Sequence, residues 1–122
     1  MLTKQTILNA LPNFYGTEAY YRWSPIFGNF LLTDGAKYIA ESADAYWLFD
    51  LFASHLPSYK DEGFAVLYLK VKDGKAVAQI EDGNGKVLAK QKIDYTNFPL
   101  DVIVLYCVPQ DDKFVVLLPS EY

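Results

Sequence analysis

Residues 64–94 read FAVLYLKVKDGKAVAQIEDGNGKVLAKQKID, and how this stretch is divided decides the fold. Phe64–Val71 is β-rich. Asp73-Gly74 then offers the dipeptide that a tight primed hairpin turn needs, because both central residues of that turn take positive φ. The next run alternates strictly: Ala76, Ala78 and Ile80 lie on one face, Lys75, Gln79 and Glu81 on the other. Such a period of two marks a half-buried strand. DGNG (82–85) is a second turn. A third alternating run follows, with Val87, Ala89 and Ile93 expected inward and Lys86, Lys90 and Lys92 outward. The outward lysines would also discourage edge-to-edge pairing.

Downstream, DVIVLYCV (101–108) and FVVLL (114–118) are apolar on both faces and are joined by the PQDDK turn. These strands are expected to lie deep, so something must cover each side of them: the N-terminal segments, or a second subunit. Upstream, Ala43–Leu56 has a helical pattern ended by Pro57. At about 100° per residue, Leu48, Phe49, Phe52 and Leu56 share one side, and Tyr46, Trp47, Asp50 and Ser54 the other. TKQTILNAL is a short helix with Thr3 as N-cap and Pro12 just beyond its end. FLL–TDG–AKYIA (30–40) reads as a hairpin by a narrow margin; the competing reading runs a helix from Asp34 through Glu41. The expected fold is therefore a single α+β domain over 1–122. It is an antiparallel meander of four to six strands, with one main helix (about 43–56) on one face and a short N-terminal helix.

The 122 residues are 52% hydrophobic and 16% aromatic, too apolar for a disordered chain and enough for one core. A net charge of −4 and the lack of a basic stripe argue against direct nucleic-acid binding. No run approaches the ~18 apolar residues of a membrane helix, and MLTKQTILNALPNF lacks a signal-peptide core. A cytoplasmic protein is expected. The one cysteine, Cys107, cannot form an internal disulfide, lies in an apolar strand, and reads as an inert packed thiol. His55, the one histidine, sits about 140° around the helix from Asp50. The two cannot pair as acid and base, and His55 suits the helix C-terminus. No nucleophile elbow, phosphate loop or calcium loop is present, and one histidine with one cysteine leaves little for a transition metal. Acidic residues are plentiful (Asp34, Glu41, Asp44, Asp50, Asp101, Glu121), but no spacing singles out a hydrolytic pair. No catalytic residue, metal or cofactor is assigned.

Two features carry binding chemistry. FYGTEAYYRW (14–23) brings Tyr20, Tyr21, Arg22 and Trp23 together, and Tyr, Trp and Arg dominate interface hot spots. Its plainer reading is that alternate residues cover the sheet. Asp50 follows Tyr46 and Trp47 on the helix side away from the core stripe. Either Asp50 accepts a hydrogen bond beneath a covering loop, or Tyr46, Trp47 and Asp50 line a site.

The motifs GTEAYYR, TDGAKYIAE, AYWLFD, EDGNG, YTNFPLD, LYC and LLPSEY, in this order and spacing from Gly16 to Tyr122, resemble a family of small bacterial proteins with a domain of unknown function. Its members occur on chromosomes, plasmids and phage-like elements. The resemblance implies no catalytic residue, cofactor or substrate. It implies only a context, in which small accessory proteins of mobile elements bind host or defence proteins.

The expected function is a non-enzymatic interaction domain. Its partner would be a protein, a second copy of the chain included, bound through Tyr20, Tyr21, Arg22, Trp23, Tyr46, Trp47 and Asp50. The alternative is a small enzyme or ligand-binding domain built on Asp50, Tyr46 and Arg22.

Overall fold

A computed structural model describes all of residues 1–122. The elements are α1 (Lys4–Ala10), β1 (Phe30–Leu32), α2 (Asp34–Ser42), α3 (Tyr46–Ser54), β2 (Ala65–Lys72), β3 (Lys75–Glu81), β4 (Val87–Ile93), β5 (Val102–Gln110) and β6 (Lys113–Leu117). The six strands form one sheet in the order β1-β6-β5-β2-β3-β4. All pairings are antiparallel except β1 with β6, which is parallel. The fold is thus α+β with a mostly antiparallel sheet, and the β2–β3–β4 meander follows its expected bounds closely.

Local chemistry explains the elements. Asp73 and Gly74 both take positive φ (55° and 75°), and Lys72 pairs Lys75 across them, a primed two-residue turn. In the 82–85 turn, the Asp82 Oδ1 accepts the backbone N–H groups of Asn84 and Lys86. Thr3 caps α1 by accepting the Thr6 N–H. A 3₁₀ turn at Leu11–Asn13, holding Pro12, ends that segment.

Four expectations are corrected. First, 34–41 is no hairpin: Asp34-Gly35 opens α2, with Thr33 as N-cap accepting the Ala36 N–H. β1 pairs with β6 instead. Second, the main helix begins at Tyr46 rather than near Ala43. Asp44 takes φ 51° and breaks α2 from α3, and Leu56 belongs to a 3₁₀ turn after it. Third, Val87 is not inward. The β3–β4 register shifts at Ile80/Glu81, so Ala89 opposes Ile80 but Val87 opposes Glu81 and is 48% exposed. Leu88 is the inserted residue of a bulge. Fourth, β6 is covered on both sides, with Val115, Val116 and Leu117 all buried, but β5 is not. Ile103, Leu105 and Cys107 are buried, whereas the alternate residues Val104, Tyr106 and Val108 are half-buried and Val102 is exposed.

One cluster of 26 buried residues forms the core. It joins Ile7 of α1, Ile39 of α2, and Leu48, Phe49 and Phe52 of α3 to the inward strand positions Leu67, Leu69, Ile80, Ile103 and Leu105. Of the stripe read from helical periodicity, Leu48, Phe49 and Phe52 are buried and Leu56 is half-buried, while Asp50 and Ser54 are exposed. Trp23 packs on Phe27, Phe30 and Phe49 with centroids 5.9–6.3 Å apart, so the aromatic segment joins this same core. No helix is long and apolar enough to cross a membrane.

Candidate functional site

The binding residues read from the sequence fall into three places. The first is an open hollow of about 430 Å³ lined by Arg22, Trp23, Ser24, Tyr46 and Asp50. Tyr46 and Asp50 are one helical turn apart on α3 and so share a face. The Trp23 indole N–H donates to Asp50 Oδ1 at 2.8 Å, which answers where that carboxylate is directed. Trp23 is held by its aromatic neighbours, so the indole N–H reaches Asp50 from a fixed ring. Arg22 and Asp50 are exposed, and Tyr46 is half-buried. Desolvation, with a smaller contribution from Glu41, raises the Tyr46 hydroxyl above its ordinary pKa. The hollow thus presents the side chains of Arg22, Asp50 and Tyr46, with the indole N–H of Trp23 already given to Asp50.

Trp47 does not line this hollow. One residue further round the helix, it packs edge-on against Phe98 at 6.5 Å and borders a smaller hollow with Ile93, Tyr95, Thr96 and Asn97.

Tyr21 serves a third place, a polar cluster at the start of α2. Its hydroxyl donates to Asp34 Oδ1 at 2.9 Å, and Glu18 N–H donates to Asp34 Oδ2 at 2.9 Å. The Asp34 N–H donates to Thr17 Oγ1, and the Lys37 ammonium lies 4.1 Å from the Tyr21 ring centroid. The hydrogen bonds from Glu18 N–H and Tyr21 lower the Asp34 carboxyl pKa, and the hydrogen bond to Asp34 raises that of Tyr21. Tyr21 forms an isolated antiparallel bridge with Leu32. Its neighbour Tyr20 is 48% exposed.

A fourth group eluded the sequence reading. The Glu121 carboxylate accepts from Thr33 Oγ1 (2.6 Å), Gly35 N–H (3.0 Å) and Leu118 N–H (2.9 Å). TDG and LLPSEY, far apart in sequence, are therefore two halves of one lock. Both are structural, and the pairing of two unusual motifs was the available signal.

The remaining chemical candidates have plain roles. His55 is the C-cap residue of α3, and its Nε2 lies 2.8 Å from Gln91 Oε1. Cys107 is buried, and its thiol pKa is pushed up to about 12 by desolvation. Tyr59 donates to the Phe52 carbonyl at 2.6 Å, and burial raises its pKa strongly. Asp101 pairs with Lys4 at 2.7 Å. No group of three or more His, Cys, Asp or Glu side chains is arranged to hold a metal.

The model of a family of unknown function (DUF6876) matches residues 5–122. The chain belongs to that family. The comparison with curated proteins finds no match. Among solved structures, the chain is similar to one described as the crystal structure of the protein of unknown function from Enterococcus faecalis. The two are 14% identical, the likeness covers 85% of this chain and 98% of the other, and the TM-score is 0.53. At that identity the likeness concerns the fold.

Proposed function

We propose that this domain is a non-enzymatic interaction module that docks a protein partner on the hollow of Arg22, Trp23, Ser24, Tyr46 and Asp50, with Tyr20 beside it. The observation that carries the reading is the Trp23–Asp50 hydrogen bond at 2.8 Å. It fixes a packed aromatic ring in the wall of the hollow, its N–H committed to Asp50, next to an exposed arginine. Preorganised Trp, Tyr and Arg groups are the type that dominate binding energy at interfaces. The context implied by the family resemblance makes a host protein, a defence protein among them, the class of partner proposed.

The enzymatic alternative on Asp50, Tyr46 and Arg22 has weaker support. The hollow is open, no second carboxylate lines it, and Asp50 already has a partner.

The test is comparative capture from the native host. Wild type and the double variant Arg22→Ala/Tyr46→Ala are used as baits, with equal folding checked by circular dichroism. A protein retained by wild type and lost by the variant supports the reading. Identical captures, or none, refute it.

A further inference from the structure

The sheet has a second face, and it is apolar. Three buried apolar residues, Val66, Val115 and Leu117, lie outside the 26-residue core cluster. They alternate with core residues on β2 and β6, so they point away from the helices. Register extends this face. Tyr68 opposes Val104, Val66 opposes Tyr106, Tyr106 opposes Leu117, and Val108 opposes Val115. Around Tyr106 stand Phe64 and Tyr122, with centroids 4.9–5.6 Å apart. The outward positions of an open antiparallel sheet are ordinarily polar. Here β5 presents Val102, Val104, Tyr106 and Val108.

Charge is divided along the strands. At the end holding the β2–β3 turn, the outward residues are Lys70, Lys72, Lys75 and Lys92, outnumbering Asp73 and Asp94. At the opposite end lie the β5–β6 turn, the β3–β4 turn and the segment before β2. Asp111, Asp112, Asp82, Asp61 and Glu62 there outnumber Lys60, Lys86 and Lys113, and Lys113 lies 3.7 Å from Asp112.

We infer that this face binds a second copy of the chain, sheet against sheet, about a two-fold axis lying in the sheet plane and running across the strands. That axis sets the lysine end of each copy over the acidic, aromatic end of the other, near Phe64, Tyr106 and Tyr122. An axis along the strands would set like ends together. The central columns β5 and β2 then meet their own counterparts, apolar on apolar, as an isologous interface requires. At ~4.8 Å between strands and ~3.3 Å per residue the sheet spans on the order of 600 Å² in plan. Val66, Val115 and Leu117 are already covered within the chain, so the free apolar part of this face is Tyr68, Val77, Val102, Val104, Tyr106 and Val108, which with the flanking charges makes an interface at the small end of the stable range. The proposed dimer leaves the Arg22–Asp50 hollow free and stands or falls separately from its role.

The test is sedimentation velocity on the full chain at ~50 µM, well above a Kd of ~10 µM for such an interface. A dimer is expected. Val104→Glu, on the half-buried outward side of β5, should raise the dimer Kd at least ~10-fold with an unchanged circular dichroism spectrum. Lys70→Glu/Lys72→Glu and Asp61→Lys/Glu62→Lys, which the axis sets over one another along β2, should each weaken the dimer, and the quadruple variant should recover it. A wild-type monomer at this concentration overturns the proposal. So does a folded Val104→Glu protein that dimerises as wild type does, or a quadruple variant weaker than either double.

Discussion

Glu121 lies across the first turn of α2 so closely to Gly35 that a Cβ there would sit 2.6 Å from Glu121 Oε1 and 2.5 Å from Leu118 Cδ1. In an ordinary helix, glycine to alanine stabilises by roughly 0.5–1 kcal/mol. Here the sign should reverse. Gly35→Ala must push back Leu118 and the carboxylate, and should cost about 1–3 kcal/mol in urea unfolding. A neutral or stabilising result would show that the lock yields freely.

Removing the carboxylate tests the same lock from the other side. Glu121→Ala leaves the Thr33 hydroxyl and the N–H groups of Gly35 and Leu118 without their shared acceptor. The expected loss is about 1–3 kcal/mol. Glu121→Gln keeps one acceptor oxygen and should lose less. Equal losses would point to packing rather than to the hydrogen bonds.

Acid sensitivity should trace in part to Asp34. Its folded pKa is depressed, chiefly by the hydrogen bonds from Glu18 N–H and Tyr21. Its contribution is therefore present above the unfolded carboxylate pKa and is lost as pH falls through the lower folded value. Asp34→Asn should flatten the decline of stability with acid, as followed by urea midpoints at successive pH values. An unaltered slope would contradict this.

Alkali should act on Cys107. Its folded thiol pKa is raised to about 12 by desolvation, so the unfolded chain ionises first and stability falls as pH rises through that gap. The thiol should be inert to a disulfide reagent at neutral pH in the folded protein and react on unfolding in urea. Prompt native-state labelling would mean the strand opens locally.

Asp50 separates structure from recognition. The residue is exposed, so losing the Trp23 bond through Asp50→Ala should cost no more than about 0.5–1.5 kcal/mol. In a Trp47→Phe background, Trp23 fluorescence should change with Asp50→Ala and much less with Asp50→Asn, which keeps an acceptor oxygen. Identical spectra for all three would mean the indole and carboxylate do not meet in solution.

What the sequence revealed follows the range of the forces involved. Asp73-Gly74 and Asp34-Gly35 are the same dipeptide with opposite outcomes. At 73–74 the flanking strands pair with each other, and local chemistry suffices. At 34–35 a Thr33 cap is visible locally, but the choice of helix is completed by Glu121, 86 residues beyond Gly35. The Asp44 break between α2 and α3 is likewise hidden, since the apolar pattern runs on across it. Val87 misled because a bulge inverts the alternation and leaves no mark in composition. On α3, periodicity placed Asp50 and Tyr46 together correctly but grouped Trp47 with them, because half a helix turned outward has more than one neighbour. Trp23 as Asp50's partner, 27 residues upstream, lay beyond any spacing argument.

The parallel pairing of β1 with β6 has a consequence for synthesis. Phe30–Leu32 meets Phe114–Val116, so a growing chain carries its early hydrophobic strand for more than eighty residues before the partner exists. On the ribosome, at ~5–20 residues per second, Phe30 and Leu32 wait several seconds with one edge unsatisfied. The β2–β3–β4 meander can close from local contacts meanwhile, but the sheet cannot. The emergence of β6, rather than of any one helix, is the event that completes this sheet.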